Sequence, residues 1–213
     1  VAETTRIPLA VAQQLADEVV ELLDEWSVRL AVAGSVRRGR ADVGDVEVVA
    51  EPIVEVRVEA VDLFADRRVE EDLLHARCRQ LLEAGVFAHR PDKNGHSSFG
   101  TKAKRLLYRG VALDVFSASE LNWGVILLLR TGPAEFNRQL VLRESRGGWL
   151  PRGFFFRDGH LWRLPPPYDA DLADQAVVVP TPEERSVFDA LGYAYVPPER
   201  RGEQRPARLA VPA

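Results

Sequence analysis

Asp45 and Glu47 stand inside one short apolar stretch, Gly44-Asp45-Val46-Glu47-Val48-Val49. A strand repeats every two residues, so the two acids share one face while Val46 and Val48 share the other. Carboxylates buried in such a strand are costly unless a positive group meets them. A hard divalent cation suits them, because Mg²⁺ takes carboxylate and phosphate oxygens. A third acid, Asp114, occupies a similar stretch, Val111-Ala112-Leu113-Asp114-Val115-Phe116, and projects away from Leu113 and Val115. If the two strands are neighbours, Asp45, Glu47 and Asp114 converge. Such a triad predicts a site for two ions, Mg²⁺ or Mn²⁺, that clamp the attacking and leaving oxygens of an in-line displacement. The chemistry predicted is transfer of a nucleotidyl group to a hydroxyl, with pyrophosphate leaving.

The preceding Gly34-Ser35-Val36-Arg37-Arg38-Gly39 supplies what the phosphates need. Gly34-Ser35 is expected to lead from a strand into a helix, whose first N–H groups face an anion. Ser35 adds a hydroxyl, Arg38 can reach a phosphate oxygen bidentately, and Gly44 lets the backbone approach closely.

The elements that must position these residues follow from periodicity and punctuation. Pro8 is placed to start a helix, with Leu15, Val19, Leu22, Leu23 and Trp26 on one face. Residues 28–33 and 45–50 read as strands. Residues 51–69 fit either a strand, through Val54, Val56 and Val58, or an excursion. A second amphipathic helix is expected over 70–84, then two or three strands between Val86 and Phe116, broken at Asn94-Gly95 and Arg109-Gly110. Beyond Phe116 the pattern turns helical. Ser119 is expected to cap a helix to Arg130, and a further helix to run from about Ala134 to Glu144. A small β region is expected over 149–164, then a proline linker. Thr181-Pro182-Glu183-Glu184 is expected to open a last helix as a capping box, followed by a frayed tail from Glu199. The fold class predicted is α+β: a mixed sheet flanked by helices over 1–118, then a small α/β subdomain over 119–213.

Composition limits the alternatives. The chain has 213 residues and a formal net charge of −4, which argues against a generic nucleic-acid coat. No apolar run approaches the roughly 20 residues that span a bilayer. Val1 is not an initiator methionine, which leaves room for a further N-terminal piece, and no signal peptide is visible. The single cysteine, Cys78, excludes an internal disulfide framework, fits a reducing cytoplasm and reads as core packing. His75, His89, His96 and His160 lack metal spacing. The charges are segregated. Lys93, Lys102, Lys104, Arg105 and Arg109 cluster without an acid, and Arg130, Arg138, Arg143, Arg146, Arg152 and Arg157 meet only Glu135 and Glu144. A basic groove on an acidic protein is therefore possible. Lys102, Lys104, Arg105, Arg138, Arg143 and Arg146 are the candidate nucleic-acid contacts.

Gly34-Ser35-Val36-Arg37-Arg38-Gly39 with Gly44-Asp45-Val46-Glu47 resembles the signature of the family X, polymerase β-like nucleotidyltransferases. The resemblance continues through Leu113-Asp114-Val115-Phe116, Trp123-Gly124, Arg130-Thr131-Gly132-Pro133-Ala134-Glu135-Phe136-Asn137, Thr181-Pro182-Glu183-Glu184, Leu191-Gly192-Tyr193 and Pro197-Pro198-Glu199. It implies a palm followed by a thumb-like subdomain, and metal ligation by Asp45, Glu47 and Asp114. It implies triphosphate contacts from Gly34, Ser35, Arg38 and Gly44. It places Asn137 at the minor-groove edge of an incoming nucleotide, Gly132 against its sugar and a cis Gly132-Pro133 bond between them. It implies DNA (primed, gapped or a 3′ end) and dNTP or NTP as partners of a monomeric enzyme, of a kind also carried by phages and mobile elements.

The departures are specific. Glu47 stands where many relatives have Asp. Leu129-Arg130 replace an aromatic pair before the Thr-Gly motif, which predicts weaker exclusion of ribonucleotides at Leu129. Ala134 replaces a common aspartate. No helix-hairpin-helix or lyase domain is expected before the palm and no phosphoesterase domain after it, and with three lysines, none in a matching context, lyase activity is expected to be missing. Three readings follow: a polymerase for gap filling or primer extension, a template-independent terminal transferase, and a catalytically dead DNA-binding module.

Overall fold

The computed structural model describes residues 6–62, 65–202 and 204–209. The chain divides into two compact units. The first is Val1–Val32 with Ala41–Ala118, and the second is Ala33–Arg40 with Ser119–Ala213. Eight residues between two strands of the first unit thus cluster with the second.

The first half of the chain runs β1 (Ile7–Pro8), α1 (Leu9–Leu23), β2 (Ser27–Val32), α2 (Gly34–Arg37), β3 (Asp42–Val43), β4 (Asp45–Pro52), β5 (Val54–Asp62), β6 (Ala65–Asp72), α3 (Leu73–Glu83), β7 (Phe87–His89), β8 (Ala103–Tyr108) and β9 (Val111–Ser117). Five strands form one mixed sheet in the order β2-β4-β9-β8-β7. β4 and β9 pair in parallel, and the other pairings are antiparallel. A parallel pair needs a long crossover, and the chain between β4 and β9 includes α3. Val46, Val48, Leu106, Leu113 and Val115 join Leu15, Val19 and Leu23 of α1 and Leu74, Cys78 and Leu81 of α3 in one core. Burial pushes the Cys78 thiol up to about 11, which keeps it protonated and inert at neutral pH.

Residues 54–72 are both strand and excursion. β5 and β6 form a separate antiparallel ribbon, with Val54, Val56 and Val58 exposed. Arg57 pairs with Glu55 and Glu71 on it.

The second unit adds α4 (Trp123–Thr131), α5 (Ala134–Val141), β10 (Phe154–Arg157), β11 (His160–Arg163), β12 (Val177–Val179) and α6 (Glu184–Ala190). β10, β11 and β12 make a three-stranded antiparallel sheet. Val125, Leu128, Phe136, Leu140, Trp149, Leu161, Val187, Phe188 and Tyr193 form its core.

Several local expectations are corrected here. Ser119 does not cap α4; its N–H and hydroxyl both donate to Asn122 Oδ1, in a turn that precedes the helix. α5 ends at Val141 rather than Glu144, because Leu142 is extended. Thr181 is not the cap of α6. Its hydroxyl donates to the Leu121 carbonyl at 3.2 Å, and Glu183 and Ser186 make the reciprocal capping box instead. β12 falls in the stretch that follows the proline linker, where three valines are too few to show a period. The tail is docked as far as residue 209; residue 203 and those after 209 lie outside the described residues. Ala194 N donates to Ala207 O at 2.8 Å and Leu209 N to Gly192 O at 3.0 Å.

Trp123 is buried at the start of α4, beside a glycine with a packing role. Gly124 N donates to Thr181 O at 2.7 Å. A Cβ on Gly124 would lie 2.1 Å from the Glu183 carbonyl oxygen. That neighbour is backbone at the entry to α6, so relief requires α4 and α6 to separate. Gly124→Ala should therefore destabilise the protein by about 1–3 kcal/mol, the usual cost of overpacking. Urea unfolding measures it, and an unchanged midpoint would refute the close approach.

Candidate active site

Each unit holds one cluster of the predicted residues. In the first, the β4–β9 register sets Glu47 beside Asp114 and Asp45 beside Ala112. Residues side by side on neighbouring strands project to one face, so both β4 acids and Asp114 lie opposite the helix-covered core. One oxygen from each of Asp45, Glu47 and Asp114 falls within 4.8 Å of the others. Asp114 is buried and the other two are half-buried. At that spacing each ionised pair repels by roughly 3 kcal/mol at an effective dielectric near 20. Arg90 Nη2 touches Asp114 Oδ1 and offsets part of this. Three convergent hard oxygens fit Mg²⁺ or Mn²⁺. Gly44, half-buried, stands at the entry to β4.

The same alternation decides two of the basic residues. Arg105 is paired with Asp114 across β8–β9, so it lies on the acidic face and is exposed. Lys104 is paired with Val115 and turns into the core, fully buried, its Nζ donating to Thr101 O at 3.2 Å. Desolvation holds its ammonium below the usual range. Lys104 is therefore no phosphate contact, contrary to the charge pattern of its neighbours. Lys102, Arg138, Arg143 and Arg146 are exposed, and Arg138 is held by Glu135 at 2.7 Å.

In the second unit α2 is a single turn, opened by Gly34 at φ 63°. So short a helix contributes little dipole, so side chains must supply most of any attraction for an anion. Arg38 Nη1 donates to the Thr131 carbonyl. A Cβ on Gly132, at φ 70°, would meet that same nitrogen at 3.0 Å. The Gly132-Pro133 bond is cis, as expected. Asn137 Nδ2 donates to Leu129 O at 2.6 Å. Ser35 Oγ and Asn137 Oδ1 are buried and have no hydrogen-bond partner among the described residues. Each orphan costs about 1–3 kcal/mol unless a ligand satisfies it. The Leu129 side chain is half-buried and packs against the core of this unit.

Glu184 organises the surroundings. Arg37 grips it bidentately at 2.8 and 2.9 Å and also donates to Thr131 Oγ1 at 2.8 Å. Arg201, whose side chain is fully buried, lies 2.6 Å from Glu184 Oε1, and Tyr195 donates to Oε2 at 2.9 Å. Sequence reading passed over these partners. Arg37 and Glu184 are 147 residues apart, and Arg201 sits in a stretch whose polarity signals solvent. Arg90 was missed too, since no spacing links it to Asp114.

Residues 126–202 match the family model for the DNA polymerase beta thumb. The match relates the chain to the polymerase β-like family X and implies DNA as a partner. No curated protein matches the chain. No helix among the described residues is long and apolar enough to cross a membrane.

Burial opposes ionisation of Glu184 most strongly, but the hydrogen bonds from Arg37 and the charges of Arg201 and Arg37 outweigh it and lower its pKa from 4.5. A carboxylate with a depressed folded pKa stabilises above its unfolded pKa and loses that contribution as pH falls through the folded value. Glu184→Gln should cost about 3–5 kcal/mol at neutral pH, because two guanidinium groups lose their counter-charge. The deficit should shrink below about pH 4.5 as the wild type is protonated. Chemical denaturation at pH 7 and pH 3 tests this, and a pH-independent deficit would contradict it.

Proposed function

We propose that this chain is a polymerase β-type nucleotidyltransferase. It adds nucleotides from dNTP or NTP to a DNA 3′ hydroxyl and releases pyrophosphate, as in short-gap filling or primer extension. The observation that carries the reading is the convergence of Asp45, Glu47 and Asp114 in a chain that also contains a polymerase beta thumb. In this reading the first unit serves as the palm, and its three carboxylates hold two divalent ions. Such ions, when bound, acidify the attacking hydroxyl and neutralise the leaving pyrophosphate.

The remaining roles fall to the chain's own groups. Ser35 and Arg38 bind the triphosphate, and the unsatisfied Ser35 hydroxyl supports that role. Gly132 admits the sugar, since a side chain there would press on Arg38. Asn137 keeps Oδ1 for the nucleotide while Nδ2 anchors it to Leu129 O. Lys102, Arg105, Arg138, Arg143 and Arg146 contact phosphates from the surface.

Primer extension with Mg²⁺ and four nucleotides, with and without a template strand, is the direct test. Extension only with template supports the polymerase, extension without it a terminal transferase, and none on any primer refutes both. Asp45→Asn or Asp114→Asn should abolish transfer, and Asp45→Asn should leave thermal stability equal or higher, because charge is removed from a repulsive cluster. Glu47→Asp should keep part of the rate. Wild-type rates in either asparagine variant would overturn the assignment.

Affinity for primed DNA should fall steeply with salt through counterion release. Lys102→Gln and Arg146→Gln should each reduce the slope of log affinity against log salt by about one. Salt-insensitive binding would point to a small-molecule acceptor.

A further inference from the structure

We propose that a groove within the second unit binds an unpaired stretch of nucleic acid, with a base stacked on the Tyr168 ring and its phosphates on Arg143 and Arg152. The inference rests on DNA being the partner of this chain. The groove has a volume of about 450 Å³ and lies wholly in the second unit, lined by these three residues, Glu144, Phe154 and Phe155 among others. That size suits a single nucleotide rather than a duplex.

Phe154 packs against the core of the unit, and Phe155 lies on the opposite face of β10. Phe155 stacks on Trp162 with an interplanar angle of 12° and a centroid distance of 6.2 Å. Arg157 lies over the Trp162 ring, 4.3 Å from its centroid. Tyr168 adopts φ 67°, an uncommon conformation for a bulky residue that costs free energy. Its N–H donates to Pro165 O at 2.8 Å, and Arg152 Nη2 donates to Pro167 O at 3.1 Å, which secures the turn. Gly153 fits beneath the ring, where a Cβ would come within 2.6 Å of it. An aromatic held in a strained turn against bare backbone is placed for contact rather than for core packing.

The charge of the groove is also set. Its one acid, Glu144, is engaged by Arg205 and Arg208 of the docked tail. Two positive charges thus cover one negative. Arg143 is exposed and its side chain has no hydrogen-bond or ion-pair partner among the described residues. Arg152 adds a second cation. Arginines flanking an accessible ring are the combination that binds single strands, with stacking for the base and cations for the backbone, and Tyr168 is half-buried with its ring on the groove. Stacking accepts any base, so little sequence preference is expected.

Fluorescence anisotropy tests this on the full chain in EDTA, which removes catalysis. The probes are a labelled 12-nucleotide single strand, a blunt duplex, and the same duplex with a six-nucleotide overhang. The wild type should bind the overhang duplex at least about fivefold more tightly than the blunt one, the scale of one stacked base. Arg143→Gln, at an exposed position, and Tyr168→Ala should each bring that ratio close to one and weaken single-strand binding about fivefold or more. A wild-type ratio of one with duplex binding intact overturns the inference and leaves the polymerase reading standing. A wild-type ratio retained in Arg143→Gln also overturns it. Displacement of the single strand by a free nucleoside monophosphate at equal affinity assigns the groove to small molecules and overturns it. Failure of the wild type to bind any of the three probes overturns it together with the reading on which it rests.

Discussion

The parallel pairing of β4 with β9 is the constraint on which the first unit depends. It sets Glu47 level with Asp114 and brings three acids to one face. Side chains alternate along a strand, so a slip of one residue would send either Asp114 or the β4 acids into the core. The valines that alternate with the acids resist that slip, because Val46, Val48, Leu113 and Val115 are buried against α1 and α3. Hydrophobic burial on one face therefore fixes the electrostatics of the other. The same rule separates the neighbours Lys104 and Arg105, which differ in role because they differ in parity.

The second unit is organised by a buried charge rather than by a strand register. Glu184 gathers Arg37 from 147 residues away, and Tyr195 and Arg201 from the stretch that follows α6. A charge at that depth is tolerable only when its lone pairs are satisfied, and here they are met by donors from both sides. The network brings the segment around Ser35 and the end of α4 together through Thr131, which accepts from Arg37 and Arg38. A second acid, Glu144, does similar work at the surface by receiving Arg205 and Arg208.

Much of this was legible in the sequence, and the limits have physical causes. Strands with period-two alternation, such as β4 and β9, were readable because one face had to be apolar. The buried Cys78 and Trp123 followed from local patterns, and the cis Gly132-Pro133 bond from the family resemblance. What was not legible was pairing over distance. Lys104 carries the same charge as its exposed neighbours, and only its register against Val115 shows that it is buried. Arg201 and Arg208 lie in a polar tail whose composition suggests solvent, although their partners are acids well back in the chain. Caps failed for a related reason: Ser119 and Thr181 had suitable side chains, but their hydroxyls found other partners nearby.

The eight residues Ala33–Arg40 cluster with the second unit although β2 and β3 flank them in the first. The two units are therefore not cassettes in the gene. A recombination event at residue 118 would deliver a second unit with Glu184 but without Arg37, and so with half of its central charge network missing. Exchange of either half between relatives would succeed only where the donor's arginine and the recipient's acid already matched. Drift in the turn after β2 is thereby tied to drift at the start of α6, and the two must change together or not at all.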